Sequence, residues 1–334
     1  MFFVQRPEHR TQNTEQRTKN REQRTKNKEQ QRTPMNVIDV KGLVKKFKDV
    51  TAVNGLNFSV ERGEIFGLIG PDGAGKTTTL RILAGIMLPG GGQVMVLDKK
   101  MPEAAEAVKE KIGYMCQRFS LYSDLTINEN IAFFADVYGI DKKTLDERLE
   151  PLLKMTRLEP FKDRIAGKLS GGMKQKLALI CTLIHRPEIL FLDEPTTGVD
   201  PVSRREFWEI LQGIHSEGVT IVVSTPYMDE AEQCSRIGLM FKGKIILVDT
   251  PKNMRRNLSG VVVEVITEGK EQLVIDAIKS STYIKDWQQL GERFHVVLND
   301  DSAADDFCSR ICGEVTIRRI AASVEDVFVE RIKA

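Results

Sequence analysis

The amino-acid sequence predicts an α/β fold built on a parallel β-sheet. Residues 65–69, 189–192 and 219–224 form short stretches that are almost wholly apolar. Helices are predicted at residues 76–87, after the first stretch, and at 202–215, between the other two. Short apolar strands that alternate with helices are typical of a parallel sheet covered on both faces.

Two further regions are predicted to surround this core. Residues 37–60 are rich in β-branched side chains and interrupted by Gly and Asn, which favours an antiparallel β subdomain. Residues 102–168 are predicted to form a helical subdomain. With the core, these regions make up a first domain at residues 35–250.

The pattern changes near residue 250, and a smaller second domain is predicted at residues 251–334. Strands are predicted at 261–266, 283–288, 294–298 and 314–317, and helices at 271–279, 303–311 and 324–332. The order β-α-β-β-α-β matches a small ferredoxin-like α+β module. Such a module is more often an accessory or regulatory domain than a catalytic one.

The composition indicates a globular protein without a membrane span. The chain has 334 residues, is 41% hydrophobic and carries a net charge of +2. Residues 1–34 hold nine Lys or Arg and four Glu, so the rest of the chain carries a net charge of −3. This mildly acidic balance argues against nucleic acid as a partner. The five cysteines show no Cys-x2-Cys pairing, which is typical of reduced thiols in the cytosol.

The first 34 residues contain a seven-residue repeat, of which Glu15-Gln-Arg-Thr-Lys-Asn-Arg is one copy. A seven-residue period suggests a coiled coil, but no position of this repeat is apolar, so no seam could be buried. A basic arm that binds membrane lipid or nucleic acid is an alternative. The composition favours a disordered basic low-complexity tail at residues 1–34.

A glycine-rich loop lies between the first predicted strand and the helix after it, which is the context of a phosphate-binding P-loop. Its glycines let backbone N–H groups approach phosphate oxygens, and the helix N-terminus favours an anion. Lys76 is expected to neutralise the β- and γ-phosphates, and the Thr77 hydroxyl is expected to bind Mg²⁺. The predicted nucleotide-binding residues of this loop are Gly70, Pro71, Asp72, Gly73, Ala74, Gly75, Lys76, Thr77 and Thr78.

Two acidic residues end the second apolar strand. Asp193 is predicted to emerge beside the P-loop, because the carboxyl ends of parallel strands lie at one edge of the sheet, and to help hold the metal ion. Glu194 comes next, with its side chain directed differently, and is the predicted catalytic general base for an attacking water.

A second glycine turn, Leu169-Ser-Gly-Gly-Met173, begins another predicted helix. The N–H groups of the turn and the hydroxyl of Ser170 form a second anion site. This turn has no evident role within one chain. We therefore predict that it closes over a nucleotide bound to another copy of the fold, so that ATP links two protomers.

Together these motifs resemble those of the ATP-binding subunit of an ATP-binding cassette (ABC) transporter, over residues 37–245. The resemblance implies a P-loop NTPase ABC cassette, with ATP and Mg²⁺ as cofactors. It also implies that Phe47 stacks on adenine and that Gln117 contacts Mg²⁺ and senses the membrane partner. The residues that match the family signature and the dimer-contact loop are Ser170, Gly171, Gly172 and Asp200.

A finer resemblance is to exporters of the daunorubicin-resistance or ABC-2 type, carried by Tyr227-Met-Asp-Glu-Ala-Glu232 and Ser323-Val-Glu-Asp-Val-Phe328 among other segments. It implies export of drugs or small molecules through a separate membrane permease, and a homodimer or heterodimer of ATPase subunits. It also implies a peripheral location on the cytoplasmic face of the plasma (inner) membrane. Leu121 and Tyr122 are candidates for the permease contact, with ordinary packing as the alternative.

Two positions depart from the family pattern. Pro226 stands where the resemblance predicts a switch histidine, which removes a hydrogen-bond donor from the site. Asp72 stands where Asn is usual, and its carboxylate would repel phosphate unless it points away.

These departures leave more than one function open. In the first, the chain is an ATPase in which Glu194 suffices and hydrolysis is slow or aided by a partner. In the second, it is an ATP-binding clamp that pairs with a complete ATPase. The presence of Asp193, Glu194 and Gln117 favours the first. A third class, soluble ABC ATPases acting on DNA or ribosomes, is disfavoured because the sequence has neither a coiled-coil insertion nor a second cassette.

Overall fold

The computed structural model describes residues 35–118 and 120–333, and the predicted tail at residues 1–34 lies outside them. The strands are β1 (Asn36–Phe47), β2 (Val50–Glu61), β3 (Ile65–Ile69), β4 (Gly91–Val96), β5 (Lys99–Met101), β6 (Ile112–Met115), β7 (Ile189–Asp193), β8 (Thr220–Thr225), β9 (Arg236–Phe241), β10 (Lys244–Asp249), β11 (Val261–Ile266), β12 (Ile284–Leu290), β13 (Arg293–Leu298) and β14 (Thr316–Ile320). The helices are α1 (Lys76–Leu83), α2 (Ala105–Lys109), α3 (Ile127–Val137), α4 (Lys142–Thr156), α5 (Gly171–Leu183), α6 (Pro201–Ser216), α7 (Pro251–Arg256), α8 (Glu271–Lys279), α9 (Asp301–Ile311) and α10 (Val324–Lys333).

A six-stranded sheet in the order β10-β9-β3-β8-β7-β6 forms the core. Its strands run parallel except for β10, which pairs antiparallel with β9 at one edge. Every residue of β3, β7 and β8 is buried, as their apolar sequences predict. The parallel-sheet core is confirmed, and the carboxyl ends of these strands lie together at one edge.

A second sheet, in the order β2-β1-β4-β5, corresponds to the predicted antiparallel β subdomain. It packs on the core sheet through stacked aromatic rings. The ring centroids of Phe58 and Phe66 are 5.5 Å apart and the ring planes are within 6° of parallel. Stacking of this kind adds to the free energy gained by burying the rings.

The helical region differs from the prediction for residues 102–168. Helices α3, α4 and α5 share one hydrophobic cluster. Residues 112–115 are not helical, however, but form β6, which pairs in parallel with β7. The local sequence could not reveal this strand, because it is four residues long, lies next to a charged segment and pairs with a strand distant in sequence. Gly113 allows α5 to approach, since a Cβ there would lie 2.6 Å from the Thr182 carbonyl oxygen.

The C-terminal part of the chain contains a four-stranded antiparallel sheet with the order β12-β13-β11-β14. Helices α8 and α9 share a hydrophobic cluster with one face of this sheet. The last helix, α10, packs on the core cluster of the first domain. Its Phe328 ring lies edge-on to Phe241 at the end of β9, with centroids 6.0 Å apart. The C-terminal module and the six-stranded core sheet therefore contribute side chains to one hydrophobic cluster.

Among the described residues, none of the helices is both long and apolar enough to cross a lipid bilayer.

Replacing Phe328 by Ala should lower the free energy of unfolding by about 3 kcal/mol, because it leaves a cavity in the shared core. Chemical denaturation followed by circular dichroism measures this loss. Ile332→Ala is the control, because Ile332 lies on the same helix and is 36% exposed. Equal losses in the two variants would contradict the shared core.

Candidate functional site

The P-loop joins the end of β3 to the start of α1, and two of its glycines are required by close packing. A Cβ on Gly70 would lie 2.1 Å from the Met240 carbonyl oxygen, and one on Gly75 would lie 2.3 Å from that of Ala52. Gly75 also has a φ of +105°, which side chains other than glycine's rarely permit. The loop is thus held against β9 and β2.

Lys76 begins α1 and its side chain is only 3% exposed. Its Nζ donates to the carbonyl oxygens of Gly70, at 2.8 Å, and Pro71, at 3.1 Å. It also forms an ion pair with Glu194, with 3.2 Å between Nζ and Oε1. A buried ammonium group needs such acceptors, and phosphate oxygens can take the same places.

Asp193 is the last residue of β7 and is fully buried. Its Oδ1 accepts hydrogen bonds from Thr77 Oγ1 and from Ser224 Oγ, each at 2.8 Å. A carboxylate and a hydroxyl this close form part of an oxygen site of the kind Mg²⁺ prefers. The described residues contain no cluster of three or more His, Cys, Asp or Glu suited to a metal. This donor set fits Mg²⁺, which is usually held by one or two carboxylates together with substrate phosphates.

Tyr114, in β6, donates from its hydroxyl to the other oxygen of Asp193, Oδ2, at 3.2 Å. Burial, followed by the charge of Asp193, raises the pKa of Tyr114 to about 12, so the hydroxyl keeps its proton. A hydrogen bond between Tyr114 and Arg81 raises the pKa of the Arg81 guanidinium. The sequence did not identify Tyr114 or Ser224 as site residues, because their contacts with Asp193 join strands that are distant in the chain.

Glu194 has a φ of +48°, a left-handed conformation that is uncommon outside glycine. Its backbone N–H donates to Ser224 O and Oγ, at 3.1 and 3.0 Å. Its side chain accepts from Gln117 Nε2 at 2.8 Å and from Thr197 Oγ1 at 3.3 Å, both on Oε2. With Lys76 on Oε1, three donors hold this carboxylate, which stands at the end of the strand beside the P-loop.

The remaining predicted residues lie apart from this cluster. No hydrogen bond or ion pair between described residues joins the signature turn at 170–172 to the P-loop. Ser170 caps α5 by accepting from Met173 N, and Asp200 caps α6 by accepting from the N–H groups of residues 202 and 203. Phe47 is 43% exposed at the end of β1, beneath the Lys45 ammonium. In the loop, Asp72 and Gly73 are exposed and Ala74 is buried, and Thr78 lies partly buried in the first turn of α1.

The segment after β8 contains Pro226, which is partly buried, and it is anchored to α6 by Arg204. The Arg204 guanidinium lies 4.1 Å from the centre of the Tyr227 ring and 3.1 Å from Glu230 Oε1. Glu230 also accepts from Thr196 Oγ1 at 2.7 Å. These contacts connect the segment at the predicted switch position to the loop that follows Glu194.

Replacing Ser224 by Ala should lower the free energy of unfolding by about 1–3 kcal/mol, because Asp193 Oδ1 and the Glu194 N–H each lose a buried hydrogen bond. Ser216→Ala is the matched control, because its hydroxyl bonds only the Gln212 carbonyl at an exposed helix end. That change should cost no more than about 0.5 kcal/mol. Urea denaturation of both variants tests the difference, and equal values would contradict the bridging role.

Comparisons of sequence and fold with known proteins identify the family of this chain. The model of the ABC transporter family matches residues 53–197. The probable multidrug ABC transporter ATP-binding protein YbhF of Escherichia coli is 46% identical over 219 residues, which cover 66% of this chain but only 38% of that protein. The Nod factor export ATP-binding protein I of Burkholderia lata is 34% identical over 299 residues, which cover 89% of this chain and 97% of that protein.

Among solved structures, the dimeric structure of MJ0796, a bacterial ABC transporter cassette, matches with a TM-score of 0.59 and 27% identity. The match covers 64% of this chain and 98% of that one. The family model, the relatives and the fold all identify the same family. The chain belongs to the family of ABC transporter ATP-binding subunits.

Proposed function

We propose that this ATP-binding subunit hydrolyses ATP in a head-to-tail dimer and thereby drives a separate permease that exports drugs or small molecules. The observation that carries the proposal is the Glu194 carboxylate, held between Lys76 and Gln117 beside the Thr77–Asp193 pair. The names of two relatives, a multidrug transporter protein and a Nod factor export protein, support export as the direction of transport.

In this mechanism, triphosphate binding changes the partners of Lys76. The γ-phosphate oxygens replace Glu194 as acceptors for the ammonium group, because a doubly charged anion attracts it more strongly than a single carboxylate. Mg²⁺, bound by Thr77 and Asp193 with Gln117 nearby, would neutralise developing charge on the phosphates. The exchange of partners releases Glu194 from its ion pair.

Glu194 then acts as the general base. Its freed carboxylate takes a proton from the water that attacks the γ-phosphate. Gln117 and Thr197 limit the rotation of the carboxylate by bonding Oε2, which leaves Oε1 to face the water. Positioning of this kind is the main contribution a protein makes to phosphoryl transfer.

The signature turn supports the dimer. Gly171 and Gly172 begin α5, with Ser170 as its N-cap, and the N–H groups of this turn can bind an anion. Among the described residues, the turn makes no hydrogen bond or ion pair with the P-loop of its own chain. Gly172 lets the turn lie against α6, since a Cβ there would lie 2.7 Å from the Ser203 side chain. In the proposed dimer this turn binds the nucleotide of the opposite protomer, Asp200 lies at the interface, and Phe47 stacks on the adenine.

Pro226 favours a second candidate, an ATP-binding regulatory clamp that pairs with a complete ATPase. Loss of one transition-state hydrogen-bond donor costs on the order of 3 kcal/mol of barrier, or a hundredfold in rate. The retained Glu194 contacts support slow hydrolysis instead. The two candidates differ in whether turnover depends on Glu194.

Turnover and dimerisation of Glu194→Gln and Pro226→His variants distinguish these functions. Glu194→Gln should lower ATP turnover at least a hundredfold, because it removes the general base. It should also accumulate as an ATP-bound dimer in solution scattering. Pro226→His should raise turnover by about tenfold to a hundredfold, because it restores a donor.

The matched control is Glu217→Gln, because Glu217 is exposed at the end of α6. Turnover that is unaffected by Glu194→Gln would eliminate the ATPase and leave the clamp. A Glu194→Gln protein that stays monomeric with saturating ATP and Mg²⁺, with and without its permease, would contradict both candidates.

We further propose that the permease binds the helical subdomain, with the protein on the cytoplasmic face of the inner membrane. Tyr122 and Phe133 are 49% and 38% exposed, and their rings meet edge to face at 4.8 Å. Asn130 is fully buried and bonds both the N–H and the carbonyl of Tyr122, which fixes this exposed pair. Leu121, the neighbouring candidate, instead packs on the subdomain core.

Replacing Tyr122 by Ala should weaken permease binding at least about fivefold and leave the basal ATPase unchanged, because an aromatic anchor commonly contributes more than about 1 kcal/mol to an interface. Co-purification with the permease and ATPase assays measure the two effects. Trp287→Ala is the control, because Trp287 is 40% exposed on the C-terminal module. Equal binding by Tyr122→Ala and wild type would exclude this surface.

A further inference from the structure

We propose that Tyr114 is a positioning residue that orients the Asp193 carboxylate for Mg²⁺. The inference rests on the proposed function, because it presupposes that the site binds Mg²⁺ with ATP. It adds Tyr114 to the predicted site residues.

The argument begins with the distribution of donors around Asp193. Thr77 and Ser224 both bond Oδ1, whereas Tyr114 is the only donor to Oδ2 among the described residues. A carboxylate held through one oxygen can still rotate about its Cβ–Cγ bond. The Tyr114 bond removes this freedom and keeps Oδ1 directed at Thr77, the other predicted metal ligand.

The fold explains why a tyrosine at this position reaches Asp193. Tyr114 lies on β6 opposite Phe191 in the parallel register of β6 and β7. Phe191 is two residues before Asp193 on β7, so the Tyr114 side chain runs beside the end of that strand. Tyr114 is partly buried, so neighbouring groups restrict the orientation of its side chain.

This arrangement predicts an effect on metal affinity rather than on nucleotide affinity. Loss of a partner that orients a metal ligand typically weakens metal binding by about 10–100-fold. The P-loop contacts to phosphate do not involve Tyr114, so ATP binding without metal should not change.

The test uses the full chain with Tyr114→Phe, which keeps the ring and removes the hydroxyl. ATP affinity is measured by calorimetry over a Mg²⁺ titration and in EDTA, and Mn²⁺ binding is followed by electron paramagnetic resonance with a non-hydrolysable ATP analogue. The Mg²⁺ concentration for half-maximal effect should rise about 10–100-fold, with unchanged affinity in EDTA.

Tyr138→Phe is the matched control. Tyr138 stacks on His185 with ring centroids 3.8 Å apart, and its hydroxyl makes no hydrogen bond to a described residue. The inference would be overturned, and the proposed function left intact, by either of two results for Tyr114→Phe. One is an unchanged Mg²⁺ dependence of ATP binding, and the other is an equal loss of ATP affinity with and without Mg²⁺. A wild-type protein whose ATP binding ignores Mg²⁺ would overturn the proposed function and the inference with it.

Discussion

The adjacent carboxylates of Asp193 and Glu194 are buried at the end of β7, and hydrogen-bond donors around them compensate their negative charge. An uncompensated buried charge costs several kcal/mol, so each must be paired or hydrogen-bonded. Asp193 receives three hydroxyl groups, from α1, β6 and β8. Glu194 receives an ammonium group, an amide and a hydroxyl. The same donors place both carboxylates beside the P-loop.

This compensation also suggests how binding leads to chemistry. Lys76 and Glu194 are both buried, so each charge needs a partner, and in this structure they pair with each other. The pair would break if one of the two charges gained a stronger partner. In the proposed mechanism a triphosphate offers Lys76 such a partner, so substrate binding would also free the Glu194 carboxylate. The left-handed backbone at Glu194 directs its side chain away from that of Asp193 and makes this division of roles possible.

The site is connected to the C-terminal module through the segment after β8. Helix α10 contacts the 3₁₀ segment Met228–Gln233, which begins two residues after Pro226. Arg255 of α7 forms an ion pair with Glu232 in the same segment, at 3.1 Å. Arg204 joins this segment to the start of α6. The C-terminal module therefore packs against the 3₁₀ segment that follows Pro226.

The sequence by itself determined the P-loop, the acidic pair and the parallel core, because each depends on local spacing: glycines before a lysine, and apolar runs that end in charge. It did not reveal Tyr114 or Ser224 as site residues, or β6 as a strand. Their roles arise from pairing between strands distant in the chain, and single residues on such strands carry no local pattern. The tertiary structure alone decided which donors meet Asp193 and Glu194, because only the register of β6, β7 and β8 brings those side chains to one edge.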